Sequence, residues 1–101
     1  MINIEKFVQR LEEIKKWDKN IPNLDFIKNQ IISLEVYPYV YFIEENFYSL
    51  EWDNIEGFDY IEISLDFNSK NYHFFYSVNL VSKNKTFSFE KNIKNIIKEE
   101  L

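Results

Sequence analysis

Cysteine is absent from this 101-residue chain, which excludes disulfides, thiolate nucleophiles and cysteine-ligated metal. There is one histidine, His73, so neither an H-x-H nor an H-E-x-x-H metal spacing exists. One glycine cannot build a G-x-G-x-x-G turn or a P-loop, so phosphate cradles of that kind are excluded. Long apolar runs are missing too. The longest, Val36 to Ile43, is far short of the roughly 20 residues that cross a bilayer. The opening Met1-Ile2-Asn3-Ile4-Glu5 lacks the basic start and apolar stretch of a signal peptide, so the expected location is the cytoplasm. Positive charge is missing from the middle: no Lys or Arg occurs between Asn29 and Ser69.

What remains is a composition of globular type, 46% hydrophobic and 29% charged with a net charge of −5. The length fits one domain, residues 1–101. Ile, Lys, Asn, Phe and Tyr make up over half the chain. An AT-rich coding sequence favours those residues, so the aromatic content is only in part a sign of a binding surface.

Residues 3–18 have helical spacing. Asn3 is a candidate N-cap, Ile4, Phe7, Val8, Leu11 and Ile14 form an apolar stripe that Trp17 extends, and Glu12 and Lys16 are placed to pair. Asn20-Ile21-Pro22 starts a second helix, with Leu24, Ile27, Ile31 and Leu34 on its stripe, running to about residue 35 before Tyr37-Pro38. Period-two patterning follows in four stretches, 39–43, 47–53, 59–67 and 72–81, with a shorter fifth at 85–89. The links are short, around Glu44-Glu45-Asn46, Asn54-Ile55-Glu56-Gly57 and Asn68-Ser69-Lys70-Asn71, which implies an antiparallel meander with Asn in the turns. A last helix, about 90–100, is capped by Ser88 or a neighbour and turns Ile93, Ile96 and Ile97 inward. The expected fold class is α+β: two N-terminal helices, a four- to five-stranded antiparallel meander and a C-terminal helix.

Parity sorts the strands into two faces. Leu50, Trp52, Ile61, Ile63, Leu65, Phe74 and Tyr76 share the face the helices must cover. Pairing Phe42 with Tyr48 puts Val40 opposite Leu50. Pairing Phe67 with Tyr72 puts Leu65 opposite Phe74 and Ile63 opposite Tyr76. The other face carries Tyr39, Tyr41, Ile43, Phe47, Ser49, Glu51, Tyr60, Glu62, Ser64, Asp66, His73, Phe75 and Ser77: aromatics dotted with carboxylates. The stretch without Lys or Arg holds Glu35, Glu44, Glu45, Glu51, Asp53, Glu56, Asp59, Glu62 and Asp66, so the negative charge concentrates on the sheet. A field of one sign speeds encounter with a basic partner, although a solvated acidic face explains the same residues without one.

Ser64, Ser77 and Asp66 can approach His73 from neighbouring strand positions, but an open sheet face lacks the oxyanion-hole loop of a triad enzyme. An ordinary cross-strand His facing Asp66 is the simpler expectation. Glu51 and Glu62 match a glycosidase pair in residue type only, since a short sheet face offers no sugar cleft. Carboxylates on the aromatic face would repel phosphate, which speaks against direct nucleic-acid binding. No catalytic residue, cofactor or metal site is expected.

The run Pro38-x-Val40, Ser49-Leu50-Glu51-Trp52, Tyr60-Ile61-Glu62-Ile63 and Tyr72-His73-Phe74-Phe75-Tyr76 resembles a pattern in small bacterial proteins encoded beside toxins or in mobile elements. The likeness covers residues 38–76. It departs at Glu44-Glu45-Asn46, where the pattern carries Asp-Gly. The resemblance implies a stoichiometric antitoxin or immunity protein rather than an enzyme.

The leading expectation is therefore a small acidic protein that binds and blocks a basic toxin or nuclease-like enzyme. Glu51, Glu62 and Asp66 would steer that partner, with Tyr39, Tyr41 and Phe75 as anchors. Alternatives are a phage or mobile-element inhibitor of a nucleic-acid enzyme, with acids standing in for phosphates, and a homodimeric scaffold using the sheet face.

Overall fold

A computed structural model describes residues 2–53, 55 and 57–100. The chain runs α1 (Ile4–Ile14), α2 (Ile21–Ile31), β1 (Tyr39–Glu44), β2 (Phe47–Asp53), β3 (Tyr60–Asp66), β4 (Asn71–Val78), β5 (Val81–Ser88) and α3 (Ile93–Glu100). The strands form one antiparallel sheet in the order β1-β2-β3-β4-β5. This is the expected α+β architecture. Within the expected link after β2, Asn54 and Glu56 lie outside the described residues.

The helices end where local chemistry stops them. Asn3 caps α1, its side chain accepting from the Lys6 N–H at 2.9 Å. Phe7, Leu11 and Ile14 are buried, but the helix stops at Ile14 rather than near residue 18. Trp17 therefore leaves the stripe and is 60% exposed. Lys15, not Lys16, pairs with Glu12, at 2.7 Å. Helix α2 is capped by Asn20 and ends at Ile31, four residues before the expected stop; the chain needs residues 32–38 to turn back onto the sheet. Helix α3 starts at Ile93. Asn92, rather than Ser88, caps it by accepting from the Asn95 N–H at 2.8 Å, while the Gln30 side chain on α2 accepts from the Ile93 N–H at 2.9 Å.

The first hairpin has the expected register, Val40 opposite Leu50 and Phe42 opposite Tyr48, with a bulge after Phe42. The β3–β4 register differs by two residues: Leu65 faces Tyr72, Ile63 faces Phe74 and Ile61 faces Tyr76. Phe67 leaves the ladder for the turn, because Asp66 accepts from the Asn68 and Ser69 N–H groups and closes the loop one pair earlier. A shift of two keeps every side chain on its face. The stretch expected as one strand over 72–81 is broken at Asn79-Leu80, both at positive φ, and β5 starts at Val81. Asn46 takes positive φ as expected of a turn asparagine, and so do Lys70, Asn79 and Leu80, the last two inside the stretch expected as strand.

The inner face carries the core. Leu50, Trp52, Ile61, Ile63, Leu65, Phe74 and Tyr76 are all buried, under Phe7, Leu11 and Ile14 of α1, Leu24, Ile27 and Ile31 of α2 and Ile93, Ile96 and Ile97 of α3. Beside this core lies a polar network that the sequence pattern does not announce. Asp18 is buried, accepting from the Tyr48 hydroxyl and from the Asn20 N–H. The Asn46 side chain accepts from Asn23 at 2.9 Å and Asn20 at 3.3 Å, and donates to Asn68 at 3.2 Å. One αL asparagine thus joins the α1–α2 link to two hairpin turns.

Candidate functional site

The antiparallel ladders assemble the outer face in rows. Tyr39, Glu51, Glu62, Phe75 and Asn84 lie side by side across all five strands. The next row is Tyr41, Ser49, Ser64, His73 and Thr86; on the other side stand Asp53, Tyr60, Ser77 and Ser82. Directly opposed side chains have Cβ atoms about 4.5–5.5 Å apart. Five of the six residues expected to meet a partner, Tyr39, Tyr41, Glu51, Glu62 and Phe75, therefore form one patch. Asp66 does not join it. It stands two rows from Glu62, about 13 Å along the strand, and its Oδ1 holds the β3–β4 turn.

Glu51 and Glu62 face each other directly, and like charges so placed repel. Partial burial, then the Glu51 charge, holds the Glu62 carboxyl above its ordinary range, against an opposing effect of the Ser49 hydroxyl, which donates to Glu62 Oε1 at 3.3 Å. Burial followed by the Glu51 carboxylate pushes up the Tyr41 and Tyr60 hydroxyls. Tyr60 packs edge-on against Phe75 with ring centroids 6.1 Å apart. It belongs to the patch although charge and exposure on the sequence do not single it out; its parity does. Asp66 behaves oppositely: the Ser69 and Asn68 backbone N–H groups hold its carboxyl below the usual range.

His73 is opposite Ser64 and Thr86, with Thr86 Oγ1 3.4 Å from Nδ1. Asp66 faces Asn71 instead, so the expected direct His73–Asp66 pairing is replaced by a diagonal one. Ser77 is two rows further along β4. Among the described residues no group of three His, Asp or Glu side chains is placed to hold a metal ion. No described helix is long and apolar enough to cross a membrane.

By parity, the described outward positions of all five strands include no Lys or Arg. The patch can therefore accept hydrogen bonds from cationic groups at its centre and offer ring faces around it. Tyr39 and Tyr41 are 38% and 39% exposed, and Ile43 beside them 55%. A cleft of about 310 Å³ separates Tyr39 and Tyr41 from Lys6, Gln9 and Arg10 of α1.

The paired carboxylates make stability depend on pH. Because the folded-state pKa of Glu62 is raised, its ionised form opposes folding at neutral pH, and that penalty fades as pH falls through the raised value. Asp66 and Glu100 have lowered values, so their stabilisation is lost as pH falls below the ordinary carboxylate range. Stability should thus rise on mild acidification from pH 7 and then fall. Glu62→Gln should add about 0.2–1 kcal/mol at pH 7 and remove the rise. Urea unfolding at several pH values measures both; a variant less stable than the parent at pH 7 refutes the repulsion.

No protein-family model, curated protein or solved structure matches the chain.

Proposed function

We propose that the protein is a stoichiometric, non-catalytic binder that neutralises a basic protein, in the manner of an immunity protein or antitoxin. The observation that carries this reading is the direct opposition of Glu51 and Glu62 inside a frame of Tyr39, Tyr41, Tyr60 and Phe75, on a face whose described positions hold no Lys or Arg. Two neighbouring carboxylates disfavour the free fold, and a lysine or arginine of a partner seated between them removes that repulsion. Aromatic side chains around such a centre are the kind that dominate binding energy once water is excluded. The charged centre sets orientation and the rate of encounter; the rings set how long the complex lasts.

The test uses a basic protein captured from the native host or encoded by the neighbouring gene. Glu62→Lys should slow association about tenfold or more at low salt and flatten its salt dependence. Tyr41→Ala should leave association nearly unchanged and raise the dissociation rate about tenfold. If neither variant changes binding, the outer sheet face is not the interface.

A further inference from the structure

The two edges of the sheet are built differently. At β1 the edge is closed several times over. Pro38 carries no N–H, Ile2 bridges to Tyr37, the Arg10 Nε–H donates to the Val40 carbonyl at 2.9 Å, and a bulge follows Phe42. The single arginine of the chain serves as a clasp on that strand. At β5 nothing comparable occurs. The strand pairs with β4 without interruption from Val81 to Ser88, has no bulge and no proline, and is exposed at every residue but Phe87, which is partly buried.

The backbone direction on β5 follows from its neighbours. The Phe89 N–H bonds to the Lys70 carbonyl at 3.0 Å, so odd-numbered residues of β5 direct their peptide groups at β4. Alternation then points the N–H and C=O groups of Ser82, Asn84, Thr86 and Ser88 away from the sheet. Among the described residues the Ser88 carbonyl accepts from the Lys91 N–H at 3.1 Å, while the outward N–H and C=O groups of Ser82, Asn84 and Thr86 have no partner. The side chains of the same four residues are small and polar and lie on the outer face. Lys83 and Lys85 lie on the other, with Lys85 bonded to Glu100 at 2.7 Å, so the strip keeps one net positive charge.

We propose that β5 accepts an extended, acidic segment of another protein as a sixth strand. Charge favours this occupant over a second copy of the chain paired about the middle of β5. In any two-fold antiparallel pairing centred on Lys83, Asn84 or Lys85, a lysine faces a lysine of the other copy. A strand with carboxylates at alternate positions places them against Lys83 and Lys85 and completes the outward ladder. The surface is separate from the acidic patch and selects the opposite charge, so it stands or falls independently of the proposed function.

The probe is a capped peptide of about seven residues alternating threonine and glutamate, with the threonine–lysine peptide as comparison. Amide hydrogen exchange of the full chain is followed by NMR. Millimolar threonine–glutamate peptide should slow exchange at Ser82, Asn84 and Thr86 about tenfold, and the lysine peptide should not. Asn84→Pro removes an outward N–H without breaking the β4 ladder and should abolish the protection. Lys83→Glu with Lys85→Glu should reverse the peptide preference, which checks the idea even if the proline variant folds poorly. Protection absent in the parent, equal with both peptides, or located on β1 overturns the proposal. So does protection that grows with protein concentration alone, which would mean the strand pairs with its own copy.

Discussion

Ile63→Ala should destabilise the fold by about 2–5 kcal/mol. Ile63 is in the middle of the central strand, fully buried, between Leu50 on β2 and Phe74 on β4. Its removal leaves a void between rigid neighbours on both sides and beneath the helices, where little relaxation is open to it. Ser64, one residue on, points to the other face opposite Ser49 and His73. Ser64→Ala should change stability by no more than about 0.5 kcal/mol. Denaturant unfolding of the two variants measures the contrast between adjacent residues. A loss below about 1 kcal/mol for Ile63→Ala, or equal losses, would contradict the assignment of faces.

That contrast was legible before any coordinates, because period-two patterning is insensitive to errors of two. The β3–β4 register expected from Phe67 and Tyr72 is displaced, yet Ile61, Ile63, Leu65, Phe74 and Tyr76 still reach the core. What patterning does not encode is where an element stops. Nothing in the spacing of Ile14 and Trp17 shows that the helix ends between them, so Trp17 reads as core and is instead exposed. The β4–β5 turn is hidden for another reason. Asn79-Leu80 contains no Gly, and a leucine at φ 67 violates the preference that turn recognition depends on.

The candidate site was legible to the same degree and for the same reason. Parity placed Tyr39, Tyr41, Glu51, Glu62 and Phe75 on one face, and the short hairpins brought them into adjoining rows. Asp66 satisfied parity too, but its position at the strand end gave it turn N–H groups to accept from. Local side-chain to backbone bonds of Asp compete with any longer-range role, and the sequence alone does not say which wins. The Asp18 network is not legible in the sequence because its members come from three separate stretches, 18–23, 46–48 and 68, with no shared period.

That network sets up a second large effect, and a change of sign within one substitution type. Tyr48 and Tyr72 are both fully buried on the inner face. The Tyr48 hydroxyl donates to the buried Asp18 carboxylate, and burial together with that carboxylate pushes its own ionisation up. Bonds to charged groups contribute about 1.5–3 kcal/mol, and their loss leaves Asp18 short of a donor. Tyr48→Phe should therefore cost about 2–3 kcal/mol. The Tyr72 hydroxyl is buried with no hydrogen-bond partner among the described residues, and its ring packs against Phe26 and Phe89, which in turn contact Phe67. An orphaned hydroxyl opposes folding, so Tyr72→Phe should stabilise by up to about 1 kcal/mol. Thermal and urea unfolding of both variants decides the signs. A cycle of Tyr48→Phe with Asp18→Ala should show a coupling of at least about 1 kcal/mol. No coupling would mean that the Asp18–Tyr48 bond contributes nothing to stability. A loss of more than about 1 kcal/mol in Tyr72→Phe would mean that a bound water satisfies this hydroxyl, and that the aromatic cluster around α2 is wetter than its packing implies.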